Sequence, residues 1–152
     1  MNRRTFCQLT FAAVAAAMSG AANASPPRLE ASYEASLAEN RLLVRVTLKN
    51  VGADTVHVLD SPTDLWVEGR LSSAKGRWDV ELRQPASQLM TRAGPRRRWI
   101  PLAQGQAWEA GAFSAPVSAA QVHPPVEAVL SARITTQTGA VALDGRTVAI
   151  RS

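Results

Sequence analysis

The sequence has 152 residues, 46% of them hydrophobic and only 5% aromatic, with a formal charge of +5. That length suits a single domain. The one cysteine is Cys7, inside a segment that reads as a removable leader, so a processed chain has no disulfide, zinc–thiolate site or cysteine nucleophile.

The leader runs from Met1 to Ala24. Arg3 and Arg4 supply its positive start, and Leu9 to Met18 is an Ala-rich apolar run too short to span a bilayer. Ala22-Asn23-Ala24 is a small-x-small cleavage site, which puts Ser25 at the start of the exported domain, residues 25–152. Asn2-Arg3-Arg4-Thr5-Phe6 resembles the twin-arginine export motif, in which paired arginines precede a spaced Phe. Cys7-Gln8 stand where that motif favours Leu and Lys, so the general secretory route stays open as the alternative. Cys7 also precedes the apolar run, which is not where a lipoprotein cysteine sits. Loss of Arg3 and Arg4 lowers the formal charge of +5 by two. The mild remainder is not a nucleic-acid footprint. These features predict a periplasmic or secreted protein with no membrane span after cleavage.

Residues Leu29 to Leu37 alternate, with Leu29, Ala31, Tyr33 and Ala35 on one parity, and predict a first strand. Ala38 to Asn40 is a turn. Arg41 to Leu59 is the strongest signal in the chain. Leu42, Val44, Val46 and Leu48 occupy one face and Arg45, Thr47 and Lys49 the other. Asn50 to Asp54 tolerate turn geometry, and Val56 and Val58 resume the pattern. The stretch is therefore a hairpin or a corner between strands. Asp60 to Asp64 form a loop, Leu65 to Val67 a short strand closed at Gly69, and Ser72 to Gly76 a hairpin loop. Arg77 to Arg83 alternate cleanly, with Trp78, Val80 and Leu82 inward.

Gln84 to Arg98 is the least regular stretch. Trp99 to Leu102 and Ala107 to Phe113 are strands around a turn at Ala103 to Gln106, with Trp108 and Phe113 as anchors. Ser114 to Pro125 is polar and Pro-bearing. Val126 to Thr136 is a longer strand. Ala140 to Ile150 then predicts a closing hairpin around Asp144-Gly145. Short strands at roughly ten-residue spacing define the fold class as all-β, an antiparallel Ig-like β-sandwich of about 7–9 strands.

Recognisable catalytic spacing is missing. There is no Gly-x-Ser-x-Gly elbow, no His-Glu-x-x-His and no phosphate loop, so the chain reads as a non-enzyme without metal or cofactor. The exported part has two histidines, His57 and His123, and an isolated Met90. His57 lies on the face opposite Val56 and Val58, as a solvated residue would. Asp60, Asp64 and Glu68 recur every fourth residue, but on a loop and strand they do not converge, and they read as solvated acids. Arg92, Arg96, Arg97 and Arg98 gather in the irregular stretch. They are either a solvated loop or the candidate contact with an anionic partner. Trp66, Trp78, Trp99 and Trp108 fall in predicted strands, which assigns them to packing. The alternative, a ligand- or glycan-stacking surface, requires at least two indoles exposed on one face.

The runs VTLKNVGADTVHVLDSPTDLWVEG and RAGPRRRWIPLAQGQAWEAGAFS carry a resemblance. The matching positions are Lys49-Asn50-Val51-Gly52, Ser61-Pro62-Thr63-Asp64-Leu65, Arg96 to Trp99 and Leu102 to Gly105. They resemble the N-terminal pro-region module of deuterolysin-type zinc peptidases. The zinc motif of those enzymes has no counterpart in this sequence, so no catalytic residue carries over. The resemblance implies an Ig-like sandwich that binds another protein. The sequence thus predicts a small exported binding module with an envelope protein as partner.

Overall fold

A computed structural model describes residues 25–85, 89–118 and 126–150. The leader, its arginines, the Ala24–Ser25 junction and His123 fall outside the described residues or at their border. Among them the chain forms β1 (Leu29–Ala38), β2 (Arg41–Asn50), β3 (Val56–Asp60), β4 (Leu65–Ser73), β5 (Gly76–Leu82), β6 (Met90–Thr91), β7 (Gly94–Pro95), β8 (Arg98–Leu102), β9 (Ala107–Pro116), β10 (Glu127–Thr136) and β11 (Gly139–Ala149). Nine of these are five residues or longer, the top of the expected range. The two-residue β6 and β7 pair with each other inside the stretch read as irregular.

The alternation in β2 has a direct cause. Leu42, Val44, Val46 and Leu48 all face the core and are fully buried, while Arg45 and Lys49 face out. Burying four such side chains removes a large apolar area from water, at about 25 cal/mol per Å². β2 is the middle of a three-stranded sheet, β1-β2-β9. The second sheet has the order β5-β4-β10-β3-β8, with β11 also on β10. Every pairing is antiparallel. The inward faces form one core that joins Val44, Val46 and Phe113 of the small sheet to Val67, Leu130 and Ile134 of the large one. The protein is an all-β, antiparallel β-sandwich.

The large sheet is split along one edge of β10. β4 pairs with Glu127 to Ile134, and β3 takes over at Thr136, opposite Val58. β3 then diverges to pair fully with β8. On the other flank, Arg83 and Ser114 exchange both backbone hydrogen bonds, at 2.9 and 2.8 Å, and tie the end of β5 to β9. This closes an edge that would otherwise offer unpaired donors and acceptors.

Of the two readings of Arg41 to Leu59, the corner holds, because β2 and β3 lie in different sheets. Three other local expectations need correction. β4 does not stop at Gly69 but runs through it to Ser73. Gly69 is there for space: a Cβ would lie 2.8 Å from Leu130 Cδ2 in the core. Asp144-Gly145 is not a turn. Register passes from Leu130↔Arg146 to Ala132↔Leu143, so these two residues form a bulge opposite Ser131 in a continuous β11. Ser114 to Pro116 extend β9. Two-residue turns join β1 to β2 at Glu39-Asn40, β4 to β5 at Ala74-Lys75 and β10 to β11 at Gln137-Thr138; at the first, both residues have positive φ, 49° and 60°, as a type I′ hairpin requires.

Tyr33, the sole tyrosine, is buried in β1 with no hydrogen-bond partner for its hydroxyl. Burial pushes its pKa from 10.0 up to about 12, against a smaller opposing pull from the Arg146 charge. A raised folded pKa means stability that is full below the unfolded value and lost as pH rises through the folded one. The protein is therefore expected to lose stability between pH 10.0 and about 12. Tyr33→Phe is expected to abolish that alkaline loss and to add about 1 kcal/mol at neutral pH, since an orphaned hydroxyl leaves the core. Thermal melts across alkaline pH check this, alongside the tyrosinate absorbance of the parent protein. Identical alkaline melting of parent and variant would refute it.

Candidate binding surface

The arginine cluster divides by role. β3 ends on Asp60, which shares the inward parity of Val56 and Val58. Its carboxylate is 4% exposed. Arg96 Nε donates to Asp60 Oδ1 at 2.8 Å and Arg98 Nε to Oδ2 at 3.0 Å. Arg96 Nη2 also donates to Gln84 Oε1 at 3.0 Å. Asp60 is thus not the solvated acid that spacing suggested. It is the anchor that holds the segment after β7 to the end of β3. Arg96 and Arg98 are committed to it, and Arg96 is only 19% exposed.

Arg92, in the β6–β7 turn, and Arg97 are exposed. Arg97 faces Asp64. Burial alone would raise the Asp64 carboxyl, but hydrogen bonds from Ser61, Thr135 and Thr63 and the charge of Arg97 hold it below the usual carboxylate range. Thr135 Oγ1 donates to Oδ1 at 3.0 Å and Thr63 Oγ1 to Oδ2 at 3.1 Å. A lowered pKa contributes stability above the unfolded value, and acid removes it as pH falls through the folded one. Of the four candidate arginines, then, two are tied to Asp60, and of those Arg96 alone is largely covered.

The tryptophans also divide. Trp78 and Trp108 pack half-buried against the core. Trp66 and Trp99 are each 49% exposed, on the outward side of the large sheet. Trp66 follows Leu65 and precedes Val67, both inward, so strand parity turns it out. Its ring is pinned. Trp66 Nε1 donates to the Thr63 carbonyl at 3.0 Å, and the Ser61–Asp64 turn is closed by Asp64 N to Ser61 O at 3.2 Å. Trp99 lies across from Leu59 in the β3–β8 register.

Trp66 stands at one end of a cleft of about 750 Å³ on the outer face of β4, β5 and β10. Val129, Glu68, Glu81, Arg70 and Asp79 line it. Register arranges these in rows. Arg70 sits opposite Asp79 and Val129, and Glu68 opposite Glu81 and Ser131. Trp66 sits opposite Arg133. Arg70 Nε donates to Asp79 Oδ1 at 2.7 Å, while Glu68 accepts a long 3.4 Å bond from Ser131 Oγ. A second recess of about 320 Å³ shares Trp66 and Glu81 and extends toward Gln84 and Leu89.

His57 is exposed, with its backbone bonded to Gln137. Among the described residues no three His, Cys, Asp or Glu side chains are grouped to hold a metal ion. No helix among them is long and apolar enough to cross a membrane.

No protein-family model and no curated protein matches this chain. Solved structures similar to it include these three. The crystal structure of the putative ApaA protein from Bordetella pertussis has a TM-score of 0.47 at 12% identity, over 84% of this chain and 98% of that one. The X-ray structure of structural genomics target SoR45 gives 0.43 at 10%, over 84% and 85%. The solution structure of CsgH from R. palustris gives 0.33 at 11%, over 77% and 92%.

Proposed function

We propose that this protein is a non-catalytic binding module, exported to the cell envelope by its leader, which engages a protein partner through the outer face of the large sheet. The observation that supports the reading is Trp66, half exposed and held rigid over a cleft. Interfaces combine a central apolar or aromatic anchor with a polar rim, and tryptophan is the most enriched anchor. Trp66 and Val129 supply the apolar part here, with the charged Glu68–Glu81 row between them. A ring already fixed by a hydrogen bond loses little rotamer freedom on binding. The exposed arginines, Arg92 and Arg97, are a secondary candidate.

The test compares capture from envelope extract by the parent protein, Trp66→Ala, and the double variant Arg92→Ser/Arg97→Ser. Loss of an anchor of this kind costs about 2 kcal/mol or more, so capture by Trp66→Ala is expected to fall at least tenfold, with an unchanged circular dichroism spectrum. The arginine variant is expected to retain most of it. The reverse ranking would move the site to the β6–β8 segment.

A further inference from the structure

We infer that the occupant of this cleft is an extended stretch of partner polypeptide bearing an apolar residue and, two positions away, a Lys or Arg. The inference rests on the protein-binding reading above and names the chemistry that the surface selects.

The carboxylates of Glu68 and Glu81 are placed directly opposite each other on neighbouring strands, both outward. Like charges in that position repel and destabilise the pair. Relief inside the molecule is thin. Arg83 reaches Glu81 at 3.4 Å with both side chains well exposed, and such a pair is worth little. The nearby Arg70 is already engaged by Asp79. No ion pair forms at Glu68 among the described residues, where its contact is the Ser131 hydroxyl. The cleft lining holds three carboxylates, Glu68, Asp79 and Glu81; Arg70 offsets Asp79 and the exposed Arg83 reaches Glu81, which leaves Glu68 as the carboxylate of its row without an ion pair among the described residues, and that row complements a cation.

The Trp66 row selects differently. Arg133 stands opposite Trp66 on β10 and repels a second cation there, which leaves the indole face to an apolar side chain. Trp66 and Glu68 are two residues apart on one face of β4, about 7 Å along the strand. A partner in extended conformation repeats its own side chains at the same interval. One laid along β4 thus sets an apolar residue over Trp66 and the residue two positions on between Glu68 and Glu81. Chain direction along β4 is not fixed by this match, so both orders of the two residues satisfy it.

The probe is a blocked eight-residue peptide of alternating Thr with Leu and Lys, compared with one carrying Glu for Lys. Titrations follow the Trp66 indole N–H signal, identified by its loss in Trp66→Phe. Saturable shifts are expected with the Lys peptide and none with the Glu peptide, weakening as salt is raised. Glu68→Gln/Glu81→Gln is expected to weaken binding at least tenfold while its fold is unchanged or steadier. Equal binding of both peptides, or an unaffected Gln variant, would overturn the basic-residue inference. Should the Gln variant still lose nothing while Trp66→Ala abolishes partner capture, the site stands and only its charge preference is wrong. Retention of capture by Trp66→Ala would instead remove the site. Failure of both peptides beside retardation on a neutral polysaccharide gel would overturn the inference in favour of a saccharide.

Discussion

Asp60→Ala is expected to destabilise the protein by about 3 kcal/mol, at the low end for breaking a buried ion pair. The variant strips a nearly sealed carboxylate from two guanidinium groups. Arg96 carries most of the cost, because its side chain is four-fifths covered. Arg98 is 64% exposed, and an exposed pair contributes roughly 0–1 kcal/mol. The urea midpoint should fall with little change in slope. Replacing both members of the main pair, Asp60→Leu with Arg96→Met, should recover most of the loss, since an apolar pair of similar volume has no stranded charge. A single variant within about 0.5 kcal/mol of the parent, the usual range of a surface change, would show that the clamp is not a structural anchor.

Asn50 carries the second large effect. It ends β2 at the corner where the chain leaves the small sheet for the large one. The side chain is fully buried and bonds on every side. Nδ2 donates to the carbonyls of Asp54 at 2.7 Å and Leu102 at 2.8 Å, and Oδ1 accepts from Gly52 N at 2.9 Å. Its backbone adds Asn50 N to Gln106 O at 3.0 Å and Gly105 N to Asn50 O at 2.8 Å. One residue thus joins the β2–β3 corner to the β8–β9 turn. Asn50→Ala leaves two carbonyls and an amide without their partner, at about 1–3 kcal/mol for each group that stays buried, so a loss of roughly 3 kcal/mol is expected. Asn50→Asp should be at least as damaging, because it aims an oxygen at two carbonyl oxygens. Thermal melts give the loss, and amide exchange at Gly52 should accelerate in either variant. Unchanged exchange at Gly52 would contradict the corner assignment.

These residues also show what could be read in advance. Parity located the core, as in β2, because burial on one face of a strand leaves a two-residue period. Parity carries two further signals. Asp60 continues the inward series Val56, Val58, and Trp66 is flanked by the inward Leu65 and Val67. An acid with inward parity next to surplus arginines signals a buried pair, and a tryptophan with outward parity signals an exposed ring. Pairing partners were not legible. Asp-Gly serves equally in a turn or a bulge, and only the strand opposite decides which. The Glu68↔Glu81 row and the Asp60 clamp join residues 13 and more than 30 positions apart, and nothing local sets those registers.

The central claim is that the outer face around Trp66 is where a partner sits. A photoreactive residue placed at Val129, inside the cleft, and in parallel at Leu43, exposed on the small sheet, tests it most directly. Illumination in cells should yield a discrete cross-linked species from position 129 and none from position 43. Cross-linking from position 43 alone, with a properly folded protein in both cases, would contradict it.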